Sequence, residues 1–288
     1  VIALTRTVRF CVSPGDDPAE PRVRGPNGYA GLPAMRGLGR YYELDVTCRG
    51  LADPVTGYFI NIKDIDAAAR AVALPEIARA CLGADSSPQG PEPAAVLEAV
   101  LPGLLSALKG SVERVRWRLS PFYSVEVDVK KSGKAVVRQR FEFAAAHRLH
   151  VTTLSDAENR ALFGKCNNPS GHGHNYVVEP AVEVGINGGG QRGARTFTLT
   201  DLEAAVEEAV LRPFDHTHLN ADTRAFGPGG LNPSVENIAK VCFEALRPVV
   251  EQRAVGLVGG ARLLAVTVWE TEKTSATWSE GDEGGSGR

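Results

Sequence analysis

Histidine is absent from the first 146 residues of this 288-residue chain, and all six histidines fall between positions 147 and 218. Chemistry that needs an imidazole is thereby excluded from the first half and placed in the second. Cysteine is sparse as well. Cys11, Cys48, Cys81, Cys166 and Cys242 are odd in number and widely scattered, which excludes a disulfide framework and fits free thiols in a reducing cytoplasm. No apolar run approaches the ~18 residues of a membrane span, and the first residues lack a charged stretch leading into an apolar core and cleavage site. Neither sign of charge is in excess. The first 135 residues carry 17 basic and 15 acidic side chains and the remainder 15 and 19, so nothing asks for nucleic acid or an anionic membrane as partner.

What is present is enough apolar sequence, 43% of the residues, for a sizeable core, and the length favours two domains. RYYELDVTC (40–48) reads as a strand and GYFINIKDIDAAARAV (57–72) as a strand running into a helix. A polar Pro/Gly-rich break (83–93) precedes a helix-like AAVLEAVLPGLLSALKG with a proline inside it. VRWRLS and FYSVEVDVK then read as strands, joined through the turn KKSGK to VVRQRFEFAA. The second half repeats the order. FEFAAA and YVVEPAVEV are strands, INGGGQRGA a turn, TFTLTDLEAAVEEAVL a strand leading into a helix capped by Thr200 or Asp201. NPSVENIAKVCFEAL is a second helix, ARLLAVTVWET a last strand and SEGDEGGSGR a disordered tail. GLGRYY (37–42) laid over GHGHNY (171–176) aligns the glycines and the final tyrosine, which predicts an internal repeat. The first copy has Leu38 and Arg40 where the second has His172 and His174.

The second copy carries the reactive residues. In an extended segment the alternation of side chains puts His172 and His174 on one side, where two neutral imidazoles suit Zn²⁺. His147, ending FEFAAAH, is the natural third ligand if its strand neighbours theirs; an isolated His-x-His pair would as readily be surface decoration. Cys166 is open to three readings: a fourth ligand, an activated thiol, or a structural cysteine such as Cys242 on an apolar helix face. Asp215-His216 offers a carboxylate-supported imidazole for proton transfer, against the plainer reading of a helix-end cap. His150 and His218 are assigned no role.

HRLH (147–150), Glu158-Asn159, LFGKCNNP (162–169), GHGHNY (171–176), Asp215-His216, VEN (235–237) and VWET (268–271) occur in an order that resembles the 6-pyruvoyl-tetrahydropterin synthase family, densely from 141 to about 275. The resemblance implies zinc held by His147, His172 and His174, and proton transfer by Cys166, Asp215 and His216. It also implies a pterin anchor at Glu270, with Ser234 and Glu236 beside the pterin pocket. It further implies a carbon–oxygen lyase acting on a phosphate, with 7,8-dihydroneopterin triphosphate as substrate and a pyruvoyl pterin and triphosphate as products. The five residues between Cys166 and His172 favour that branch over the related 6-carboxytetrahydropterin synthases of the deazapurine (queuosine) pathway. A non-catalytic pterin-binding assembly protein is the third reading.

The fold the resemblance implies is α+β: two tandem tunnelling-fold units, each a four-stranded antiparallel sheet with two helices on one face. The expected boundaries are 1–130 for a first copy without metal ligands, 136–280 for the catalytic copy and 281–288 for a flexible tail. Open sheet edges of this kind call for a homo-oligomer with sites between subunits, three chains closing a ring of six units. Arg36, Arg40 and Arg49 of the first copy are either a solvated basic face or groups that reach a triphosphate.

Overall fold

The computed structural model describes residues 1–15, 33, 35–83, 92–186, 195–279 and 281. The chain divides into two compact units, the first built on Val1–Val137 and the second on Arg138–Val184 with Arg195–Arg288. Among the described residues no helix is long and apolar enough to cross a membrane. Most of the expected turn at 186–194, most of the break at 83–93 and most of the tail lie outside the described residues.

In the first unit, strand β1 (Ile2–Val12) pairs with β2 (Arg40–Gly50). Helix α1 (Ile62–Ala68) passes through a wider π-type turn (Ala69–Ala73) into α2 (Leu74–Leu82), and α3 (Pro93–Ala107) follows. Strands β3 (Val112–Arg118), β4 (Tyr123–Asp128) and β5 (Lys134–Gln139) complete the sheet in the order β1-β2-β3-β4-β5. The expected strand over 57–61 does not form. Asp53 Oδ1 accepts the Val55 and Thr56 N–H groups at 3.0 and 2.7 Å, Gly57 turns at φ +72°, and Asn61 is spent capping α1 through the Lys63 N–H at 3.0 Å. Three polar bonds in place outweigh the strand propensity of Tyr58, Phe59 and Ile60.

The second unit opens with β6 (Phe141–His147), α4 (Asp156–Phe163) and a 3₁₀ turn (Gly164–Asn167), then β7 (His172–Gly185). Helix α5 (Leu199–Val206), another π-type turn (Glu207–Leu211) and the short α6 (Arg212–Phe214) lead to β8 (Thr217–His218) and α7 (Leu219–Asp222). Helix α8 (Val235–Arg253) and the hairpin β9 (Ala261–Thr271) and β10 (Thr274–Ser279) end the unit. The sheet order is β10-β9-β7-β6-β8, antiparallel except for the two-residue β8, which runs parallel to β6. Each unit thus has the expected α+β class with one strand beyond the expected four. The helix cap is Thr198, not Thr200 or Asp201. Its hydroxyl and Asp201, three residues on, form a reciprocal capping box, which leaves 196–198 outside any strand.

The core strands of the two units, β1-β2-β3-β4 and β6-β7-β9-β10, pair with the same connectivity, while the second unit adds α4 between its first two strands and β8 beside β6. Phe10 stands opposite Tyr42 in the first and Phe143 opposite Tyr176 in the second, each pair with its rings in contact at 5.6 and 5.0 Å. In each unit the π-type turn ends two residues before a proline, Pro75 or Pro213. Proline has no N–H to donate and its ring crowds the carbonyl one turn back, so the helix widens there. Helix α8 packs on β9 and β10. It buries Val235, Ile238, Ala239, Cys242, Phe243, Leu246 and Val250, a helical stripe that fixes the sheet face beneath the site.

Candidate metal centre and active site

Register places the histidines. In the β6–β7 ladder His147 faces His172, Ala145 faces His174 and Phe143 faces Tyr176, so all six side chains share one face of the sheet. Ala145 matters by being small: a methyl opposite His174 leaves that imidazole room to lean toward the others. The ring centroids of His147 and His172 are 4.5 Å apart, those of His172 and His174 4.8 Å. One nitrogen from each of the three lies within 4.8 Å of the others.

The tautomers suit ligation. His147, fully buried, has Nδ1 2.7 Å from the Pro233 carbonyl, so Nδ1 carries the proton and donates it there. Its Nε2 is left as a lone pair 3.1 Å from His172 Nε2. Burial pushes His147 down to about 4, with the neighbouring histidines adding to the shift. His172 is likewise lowered, by burial first and by His174 second. Both rings are therefore neutral at pH 7, as a metal ligand must be. His174 Nε2 is buried with no hydrogen-bond partner among the described residues, an orphan whose cost a cation would remove. The donor set fits zinc.

Glu270 comes from the third strand. β9 runs antiparallel to β7 with Trp269 opposite Val177, which brings the next residue, Glu270, beside Tyr176. Its Oε1 lies 3.4 Å from His147 Nε2 and 3.6 Å from His174 Nε2. Tyr176 is fully buried, and its phenol is raised by burial first and then by the charges of Glu270 and Cys166. Cys166 sits on the 3₁₀ turn after α4. That turn is tied to the segment just past His147: the Cys166 carbonyl accepts the Leu149 N–H at 2.9 Å, and the Asn167 carbonyl accepts Arg148 Nε at 3.2 Å.

Asp215 and His216 dock on β6 from its other edge. The His216 N–H donates to the Ala144 carbonyl at 2.6 Å, and an Asp215 carboxylate oxygen accepts the Ala144 N–H at 2.8 Å. The other carboxylate oxygen holds His216 Nδ1 at 2.8 Å. His216 adopts φ +57°, a left-handed conformation that costs a non-glycine residue on the order of 1 kcal/mol or more and persists here because its own N–H and the Asp215 carboxylate are both pinned to Ala144. The N–H of Ala144 first, and His216 second, hold the Asp215 carboxyl below its ordinary value. With Nδ1 engaged, Nε2 of this exposed ring is free for proton transfer.

Ser234 follows Pro233, whose carbonyl holds His147. Ser234 caps α8 through the Asn237 N–H at 3.5 Å, and Glu236 is exposed in the first turn of that helix. Two participants escaped the sequence. One is the Pro233 carbonyl, a backbone group no motif advertises. The other is His218, opposite Ala146 on β8, whose Nδ1 is buried without a hydrogen-bond partner among the described residues. Its charge would disfavour protonation of His147, so it belongs to the same neighbourhood. The only signal for it in the sequence was its spacing of two from His216.

The family profile of 6-pyruvoyl tetrahydropterin synthase matches residues 136–281. The human 6-pyruvoyl tetrahydrobiopterin synthase is 39% identical over 139 residues, which is 48% of this chain and 87% of the human protein. A Caenorhabditis elegans protein described as a putative 6-pyruvoyl tetrahydrobiopterin synthase is 39% identical over 138 residues, 47% of this chain and 88% of its own. The solved structure of the Caenorhabditis elegans 6-pyruvoyl tetrahydropterin synthase aligns with 33% identity over 51% of this chain and 96% of that one, at a TM-score of 0.43. With half of its length matched by the family profile and the histidine cluster inside the matched half, the chain belongs to the 6-pyruvoyl tetrahydropterin synthase family.

Proposed function

We propose that this protein is a zinc-dependent lyase that converts 7,8-dihydroneopterin triphosphate into 6-pyruvoyl-tetrahydropterin with release of triphosphate. The observation that carries the reading is the convergence of His147, His172 and His174 on one point of the sheet, beside a pinned Asp215–His216 pair. His147, His172 and His174 hold the metal. When bound, zinc supplies Lewis-acid polarisation of the substrate's side-chain oxygens, which acidifies the neighbouring C–H bonds. Cys166 takes a proton from one face of the side chain. His216, oriented by Asp215, exchanges a proton on the other. Oxidation and reduction then fall on adjacent carbons, so the rearrangement needs no redox cofactor. Glu270 accepts the paired N–H donors of the pterin edge.

The first unit is read as a copy without the chemistry. Carrying the Phe10–Tyr42 register onto Phe143–Tyr176 puts Leu38 and Arg40 at the positions of His172 and His174, and Pro14 at that of His147. Two and three residues past Pro75 stand Ile77 and Ala78, both buried, where Pro213 is followed by Asp215 and His216. Its part is to supply sheet edges to a homo-oligomeric assembly whose sites are shared between subunits.

Mass spectrometry of the products from 7,8-dihydroneopterin triphosphate and zinc-loaded protein tests the proposal. A pyruvoyl pterin with free triphosphate is expected. A carboxy pterin with acetaldehyde would move the protein to the deazapurine branch with the same site, and absence of turnover in a zinc-loaded, folded protein would leave a pterin-binding role. Cys166→Ala is expected to abolish turnover and keep the zinc.

A further inference from the structure

We infer that Glu270 is a fourth, displaceable ligand of the metal in the substrate-free protein, an assignment that rests on the zinc reading of the three histidines. The argument is metric. Four donors at the usual zinc–nitrogen and zinc–oxygen distances of about 2.0–2.2 Å stand about 3.3–3.6 Å from one another at the corners of a tetrahedron. His147 Nε2 and His172 Nε2 are 3.1 Å apart, His147 Nε2 and Glu270 Oε1 3.4 Å, and His174 Nε2 and Glu270 Oε1 3.6 Å. Three contacts thus fall at or close to the edge length of one coordination sphere, and two of the three belong to the carboxylate.

The chemistry agrees with the distances. Three neutral imidazoles leave a divalent cation with its full charge, and one carboxylate oxygen is a common fourth donor that halves it. His174 Nε2, without a hydrogen-bond partner among the described residues, has the carboxylate as its nearest anionic neighbour. Glu270 is rooted on β9, next to Trp269 in the ladder with β7, so its backbone is held while the side chain, 20% exposed, keeps freedom to turn. A carboxylate cannot ligate the metal and clamp a pterin edge with the same oxygens. Arrival of the pterin therefore draws Glu270 off the metal and opens a position for the substrate's own oxygens. One residue then couples recognition of the ring to exposure of the metal.

The test uses cobalt in place of zinc and the whole 288-residue chain, with wild type, Glu270→Ala and Glu270→Gln compared. The visible absorption bands of cobalt report ligand number and type, and release of zinc to a chelator reports affinity. Both variants are expected to change the cobalt spectrum, with unaltered far-UV circular dichroism, and to release zinc about tenfold faster or more. Adding neopterin to the wild type is expected to shift its spectrum toward that of Glu270→Ala. Identical spectra and release rates for wild type and both variants would overturn the inference and leave the three-histidine site standing. A wild type that takes up no cobalt would overturn the metal reading along with it. Glu270→Gln keeps the shape of the side chain, so a change in both variants separates ligation from misfolding.

Discussion

Asp215 and His216 are bonded to each other at 2.8 Å and both are bonded to Ala144, one through a carboxylate oxygen and one through its own N–H. The imidazole is held from its own carboxylate neighbour, and that carboxylate is held from the strand that ends in His147. In the proposed reaction, positioning and proton transfer are divided between these two consecutive residues.

Asp215→Asn should leave the backbone docking to Ala144 in place while removing the charge that supports an imidazolium at His216. The expected result is a fall in kcat on the order of 10²–10⁴ with metal content unchanged. Steady-state kinetics beside metal analysis of the purified variant would check it. Loss of metal together with activity would show that the pair supports the fold of the centre and not proton transfer.

His174→Ala removes a proposed metal ligand whose Nε2 is buried and has no hydrogen-bond partner among the described residues. A ligand that binds only the folded state stabilises it, by about 2.7 kcal/mol when present at a hundred times its dissociation constant. Wild type should therefore show a melting temperature that rises with added zinc, and the variant one that does not. Deleting an unsatisfied polar atom also predicts that, without metal, the variant melts no lower than wild type by more than the loss of ring packing accounts for. Differential scanning calorimetry with and without zinc reads both.

The acid limb of stability has a source away from the site. Burial alone would raise the Asp201 carboxyl, but the Thr198 N–H and hydroxyl and the Arg195 guanidinium together bring it below its ordinary value of 3.8. A depressed carboxyl binds fewer protons folded than unfolded, so its contribution is complete above pH 3.8 and is lost as the pH falls through the lower folded value. Asp201→Asn should destabilise the second unit by about 1–2 kcal/mol at pH 7, in line with the loss of a capping box. The gap between variant and wild type should narrow toward pH 3. Urea unfolding at the two pH values would show it.

Much of this is legible in the sequence. The period of two in His172-Gly173-His174 fixed which side the imidazoles take, and the strand ending in His147 supplied the partner. The glycines and the tyrosines Tyr42 and Tyr176 carry the expectation of a repeat, and the structure places those tyrosines opposite Phe10 and Phe143. What the sequence hid was of two kinds. The segments at 57–61 and 195–198 read as strands because their residues are β-branched or aromatic, yet local polar bonds from Asp53, Asn61 and Thr198 take their backbone elsewhere. The Pro233 carbonyl and the contact of Glu270 with two histidines depend on elements far apart in the chain, and no local pattern encodes them.

The two glycines that frame His172 should behave differently when replaced by alanine. Gly171 turns at φ +72°, and a Cβ there would fall 2.6 Å from His218 Nε2 and 3.0 Å from the His147 carbonyl oxygen. The first contact is with a side chain that can yield. The second is with the backbone of a ligand-bearing strand, and the left-handed conformation alone costs on the order of 1 kcal/mol for a residue with a Cβ. Gly171→Ala should therefore lower stability by about 1–3 kcal/mol and, by shifting His172 against His147, weaken zinc binding. Gly173 lies within β7, where a Cβ meets only the Ala145 carbonyl oxygen at 3.7 Å, an ordinary contact. Gly173→Ala should leave zinc affinity unchanged and stability equal or slightly raised, since alanine loses less backbone entropy on folding. Zinc titration of both variants against wild type decides the matter. Equal affinities in all three would mean that the approach of Gly171 to His147 does not set the geometry of the centre.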